Sequence, residues 1–146
     1  MSTVGVFLVH SDSCIAYVNK KACTMLGYSQ EELLSQLLFQ IYIDLLYYEK
    51  WLKCWQRIKK CRFSNTESFY QPKNGLFYPV EVNANYLQLD SDEYLFVCVR
   101  DIRLFIIKNL PIEVRSNLDE SKTGGSILEY ARPSRGTQII NKITNK

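Results

Sequence analysis

Histidine is nearly absent from these 146 residues; the only one is His10. That scarcity argues against Ser-His-Asp catalysis, which needs an imidazole between nucleophile and acid, and against histidine-built metal centres. No stretch approaches the ~20 consecutive apolar residues of a membrane span. Residues 1–10 carry no basic residue ahead of a short apolar run, so they do not read as a secretory signal, and the chain is expected to be cytoplasmic. Close cysteine pairs are missing too. Cys14, Cys23, Cys54, Cys61 and Cys98 are odd in number and scattered, which reads as free thiols rather than a disulfide framework or a zinc site. There is no glycine-rich phosphate loop: Gly124-Gly125 lacks both a preceding strand and a further glycine at the right interval. Nor is there a dense Lys/Arg stripe. Residues 1–101 hold 10 basic and 11 acidic side chains and residues 102–146 hold 8 and 4, so the net +3 comes from the tail. A near-neutral body with a mildly basic tail argues against nucleic-acid binding.

What the chain does have is core material, 47% hydrophobic and 13% aromatic residues, in a length suited to one domain. Val4–Val9, the polar turn Ser11-Asp12-Ser13 and Ile15–Val18 predict a β-hairpin. Asn19 stands where a helix N-cap belongs, Ala22, Cys23, Met25 and Leu26 make an apolar face, and Gly27 ends that helix. Ser29-x-x-Glu32 has the form of a capping box opening a second short helix. Over residues 44–60, Tyr48, Trp51, Leu52, Trp55 and Ile58 recur at three- and four-residue steps, predicting a long amphipathic helix with its stripe on a core. Thr66–Gln71 reads as a strand, and Lys73-Asn74-Gly75 as a tight hairpin turn in which Asn-Gly takes positive φ. Val80, Val82, Ala84 and Tyr86 alternate with Glu81, Asn83 and Asn85, as in a strand with one buried face. Tyr94–Val99 is apolar on both faces and belongs in the sheet centre. These elements give an α+β domain with an antiparallel sheet covered by helices on one face.

Ile15-Ala-Tyr-Val-Asn19, Ala22 to Ser29, Glu31-Glu32-Leu33-Leu34, the Trp-bearing helix, Lys73-Asn74-Gly75, Pro79-Val80-Glu81-Val82 and Val99-Arg100-Asp101-Ile102 follow one another in an order that resembles the PAS domain family. The resemblance implies a PAS-like five-stranded antiparallel sheet of order 2-1-5-4-3, with short helices and one long helix walling a small internal cavity. It also implies a signal-transduction sensor of the kind found in bacterial sensor histidine kinases and cyclases, one that binds a small ligand or mediates dimerisation and relays to a separate effector. The expected division is a PAS domain over 1–103 and a basic, largely irregular tail over 104–146, with at most a short helix around Ile127–Ala131.

The resemblance does not supply a cofactor. Light-oxygen-voltage flavin sensors carry a reactive cysteine in a G-x-N-C-R-F-L-Q segment; here the equivalent stretch is Ser35 to Gln40, with Leu38 at the cysteine's place. Cys61-Arg62-Phe63 looks tempting but lies at the end of the long helix, too far along the chain for a thiol that must touch the flavin. Haem-binding relatives use a histidine on the long helix, and residues 44–60 have none. No cysteine stands out as a photoactive-yellow-type chromophore anchor. Covalent flavin and histidine-ligated haem are therefore argued against, and the cofactor is left unassigned.

Candidate cavity residues are Trp51, Trp55 and Tyr86. Asn83, Asn85 and Thr24 are the other polar candidates, although the two asparagines fall opposite Val80 and Val82 and fit a solvent face better. Glu67 and Glu81 are carboxylates on neighbouring strands with no catalytic partner, so neither a catalytic nor a metal residue is assigned and the chain is not expected to be an enzyme. The last strand ends in Asp101-Ile102-Arg103, where many PAS domains have Asp-Ile-Thr, which changes the usual coupling contact to the following helix. Expected partners are a second copy or a signalling protein, with a small-molecule ligand as a further candidate. The alternatives are a pure protein-interaction PAS domain without ligand, or the truncated N-terminal piece of a sensor histidine kinase.

Overall fold

A strand whose alternate residues are apolar must lay one face on a core, and β1 (Gly5–His10) does so, with Gly5, Phe7 and Val9 buried and Val6, Leu8 and His10 half-buried. The computed structural model, which describes residues 3–42 and 47–116, extends this alternation across a five-stranded antiparallel sheet. Its strands are β1, β2 (Ile15–Val18), β3 (Phe63–Tyr70), β4 (Tyr78–Leu89) and β5 (Asp92–Asp101), in the expected order β2-β1-β5-β4-β3. Across the sheet Phe7 lies opposite Val97, and Val97 opposite Ala84; Val9 pairs with Leu95, and Val99 with Val82. These side chains share the inner face. The strand β5, apolar on both faces, is central.

Helices cover the inner face. Asn19 caps α1 (Lys20–Leu26) by accepting from the Ala22 amide at 3.0 Å, and its side chain also bonds Val6 N and Val4 O, tying helix to strand. Gly27 closes α1 at φ 72°, a conformation costly for other residues. Ser29 and Glu32 form the expected capping box on α2 (Gln30–Leu34). A 3-10 turn at Leu38–Gln40 precedes α3 (Tyr48–Cys61), the helix expected over 44–60; residues 43–46 lie outside the described residues. The stripe Trp51, Trp55 and Ile58 is buried as expected. Arg62 then takes φ 73°, so the chain turns at once into β3, which starts at Phe63 rather than Thr66.

The Asn-Gly turn is a correction. β3 and β4 do pair, but pairing ends at Tyr70 opposite Tyr78, leaving a seven-residue loop from Gln71 to Phe77. Among the described residues Gly27 is the one glycine with positive φ, so Gly75 does not make the expected tight turn. Tertiary anchors override local preference: the Lys73 amide donates to Leu26 O at 2.8 Å and its ammonium pairs with Glu32 at 2.7 Å.

Beyond Ile102 the chain forms α4 (Arg103–Asn109) and α5 (Ile112–Ser116), separated at Pro111. Ile106 and Leu110 bury with Ile102 against Phe69, so residues 104–116, read from sequence as part of an irregular segment, are mostly helical. The short helix expected at Ile127–Ala131 lies outside the described residues.

Candidate ligand cavity

Between α3 and the strands β3 and β4 lies a cavity of about 230 Å³. Leu38, Trp51, Ile58, Val82, Ala84, Leu95 and Val97 form its apolar floor and walls. Tyr42, Cys54, Arg57, Ser64, Thr66, Glu67 and Ser68 add polar groups. Each wall is fixed from elsewhere. The buried Ser13, at φ 75° in the β1–β2 turn, accepts the Phe39 amide on its hydroxyl at 3.0 Å and the Leu38 amide on its carbonyl at 2.8 Å. Two residues away, Ser11 O accepts the Trp51 indole N–H at 2.7 Å. One polar turn thus sets both Leu38 and Trp51, and it satisfies the indole donor that burial would otherwise orphan.

Tyr42 closes another side. Its hydroxyl shares a 3.1 Å hydrogen bond with that of Tyr70, and the rings meet edge-on at 5.1 Å. Tyr70 in turn packs edge-on against Tyr78 at 6.0 Å, and the Tyr78 hydroxyl donates to Met25 O at 2.7 Å. Burial pushes all three phenols above their ordinary pKa, so they stay neutral donors. Over the Tyr78 ring, at 4.2 Å, lies the guanidinium of Arg103. Arg103 grips Asp101 through Nε at 3.1 and 3.0 Å and through Nη2 at 2.6 Å, while its amide caps the same carboxylate at 3.0 Å. The base that Asp101 needs is therefore the very residue that replaces the family's hydroxyl. A continuous line of packed side chains leads from the cavity wall to the first residue of α4.

Of the three cavity candidates, Trp51 lines the space. Trp55 and Tyr86 do not; they pack edge-on at 6.0 Å, with the Arg62 guanidinium over the Tyr86 ring at 4.8 Å. Tyr86 spends its hydroxyl on Glu93, which Lys59 also pairs at 2.6 Å, a cluster that joins α3 to the β4–β5 hairpin. Asn83 hydrogen-bonds Asn65 on the outer face, Asn85 lies opposite Phe96 there, and Thr24 bonds Lys20 O. Glu81 pairs with Arg100 at 2.8 Å. Leu38, where a flavin-reactive cysteine would stand, faces the cavity. His10 lies outside it, its ring 5.0 Å from that of Tyr94. Tyr42, Cys54, Arg57 and the β3 hydroxyls escaped sequence reasoning. Ser64, Thr66 and Ser68, spaced by two, were the available signal, small polar residues on the cavity side of a strand.

Among the described residues no cluster of His, Cys, Asp and Glu has the geometry to hold a metal ion, and no helix is long and apolar enough to cross a membrane.

The fold has many solved counterparts. A PAS domain from a two-component sensor histidine kinase superposes with a TM-score of 0.61 at 26% identity, covering 68% of this chain and 86% of that one. The PAS domain of an HTR-like protein from Haloarcula marismortui gives 0.64 at 22% identity, covering 69% and 83%. The PAS domain of the Cronobacter turicensis quorum-sensing receptor RpfR, solved in complex with BDSF, gives 0.57 at 11% identity, covering 70% and 96%. No curated protein matches this chain. The sequence profile of the PAS domain matches residues 3–103, a span that takes in all five strands and every residue of the cavity wall. On that match the chain belongs to the PAS domain family.

Proposed function

We propose that this signalling module senses a small molecule held in the cavity under α3 and relays its occupancy through Tyr42, Tyr70, Tyr78 and Arg103 to α4. The observation that carries the reading is the cavity itself, about 230 Å³ of mostly apolar space with a few polar groups converging on it, the usual form of a small-molecule site. A neighbouring fold solved with BDSF bound is consistent with it. The tyrosine line supplies contiguous packing from the site to α4, one route by which occupancy can bias that helix. The module acts in the cytoplasm and hands its signal to a separate effector, in the manner of two-component sensors; the chain itself is not catalytic. Native mass spectrometry of protein purified from cells tests the sensing step. A stoichiometric non-covalent adduct supports it. A bare mass, with no change in α4 amide exchange on adding any cell extract fraction, overturns it.

A second reading has its own observation. On the outer face Tyr17, Leu8, Phe96, Asn85 and Phe63 form one row across all five strands, and Tyr17, Phe63 and Phe96 are 49%, 54% and 36% exposed. Such a row favours association with a second copy or a protein partner. Light scattering across protein concentration tests it, a constant monomer mass excluding self-association.

A further inference from the structure

The helix that roofs the cavity is strongly basic. α3 carries Lys50, Lys53, Arg57, Lys59 and Lys60 against a single acid, Glu49. Of these, Arg57 belongs to the cavity wall. Among the described residues Arg57 makes no ion pair, whereas Lys59, Lys73, Arg100 and Arg103 each have a carboxylate. Its Nη2 donates a 3.7 Å hydrogen bond to the Cys54 sulfur, a weak acceptor that a better one displaces easily. Glu67, the other charged residue of the wall, does not answer it. Strand alternation puts Glu67 beside Glu81, its register partner, which is paired to Arg100 on the outer face. The wall therefore offers an apolar interior, hydroxyls at Ser64 and Thr66, and one uncommitted guanidinium with a fork matched to a carboxylate.

Resting on the sensing reading above, we propose that the ligand class is an amphiphilic monocarboxylate, its apolar body in the cavity and its carboxylate on Arg57. Size narrows the class. A cavity of roughly 150 Å³ accommodates benzene, so 230 Å³ suits a body of about nine non-hydrogen atoms, a medium-length acyl chain or a single substituted ring. Dicarboxylates and nucleotides do not fit, because their second charge would be buried against Val82, Ala84 and Val97 without a partner.

Octanoate, 1-octanol and octylamine, titrated calorimetrically into the full chain and into Arg57→Gln, test this. Arg57 is exposed and makes no ion pair, so the variant should fold, which thermal melting checks. The expected result is octanoate binding at least tenfold tighter than octanol, with that advantage lost in Arg57→Gln while octanol affinity is unchanged. Equal binding of octanoate and octanol, in both proteins, overturns the anion assignment and leaves the cavity reading standing. Preferential binding of octylamine overturns it with the opposite sign. Binding of none of the three also overturns it, and the native-mass experiment then decides separately whether the cavity holds anything at all.

Discussion

The two faces of the sheet are made from similar side chains but use them differently. On the inner face Phe7, Val9, Val18, Val80, Leu95, Val97 and Val99 are buried beneath helices. On the outer face the same strands present Leu8, Tyr17, Tyr94, Phe96 and Phe63, of which Tyr17, Phe63 and Phe96 remain exposed. Strand β5 contributes to both, with Leu95, Val97 and Val99 inward and Tyr94, Phe96 and Cys98 outward. An apolar strand thus need not be buried on both sides. One face holds the fold together and shapes a cavity; the other leaves large apolar side chains in contact with solvent.

The contrast breaks most sharply through Phe7. Phe7→Ala empties a fully buried inner position and should cost about 3–5 kcal/mol in chemical denaturation. If the loss matched that of an outer-face substitution, the division of labour would be wrong. Next in size is Trp51→Phe, which leaves Ser11 O without its donor and loosens the cavity wall. A loss of about 1–3 kcal/mol is expected, together with weakened ligand binding. Phe96→Ser, on the outer face, should change stability by about 1 kcal/mol or less but lower any self-association seen by light scattering. The smallest effect is local. The Lys73 ammonium, with the Ser29 amide, holds the Glu32 carboxyl down to about 2, below its ordinary 4.5. A depressed carboxyl stabilises the folded state above pH 4.5, and that contribution drains away as pH falls toward 2. Protection factors of the 71–77 amides, corrected for the intrinsic pH dependence of exchange, should therefore fall over that window in the wild type and stay level in Glu32→Gln.

Local rules made much of the fold legible. Asn19, Gly27 and the Ser29–Glu32 box act through neighbours within four residues, and all behave as their chemistry requires. The apolar run Tyr94–Val99 pointed to a central strand, and β5 does lie between β1 and β4, although its outer face is only partly covered. Where contacts from far along the chain intervene, sequence reading fails. Asn74-Gly75 would turn tightly if left alone, but Leu26 O and Glu32 hold Lys73 and stretch the connection into a loop. The site was harder still. Trp51 and Trp55 sit four residues apart on one stripe, yet one lines the cavity and the other packs on Tyr86, a difference that periodicity alone does not carry. Arg57 lies among the exposed polar residues of α3, and its place at the cavity distinguishes it from Lys53. At the C-terminal end Arg103 looked like a broken contact and is instead Asp101's own partner.

The turn at Ser11–Ser13 also has a meaning in time. It holds Phe39 from 26 residues away and Trp51 from 40, so those hydrogen bonds close only after long stretches of chain have been gathered. Native proteins open locally as well as globally, and such a clasp is a unit that can open by itself. Release of this one clasp, with the sheet intact, would free Leu38 and Trp51 together, because both are tied to it. On the sensing proposal, ligand exchange would then depend on two serines in the β1–β2 turn, Ser11 and Ser13, neither of which lines the cavity.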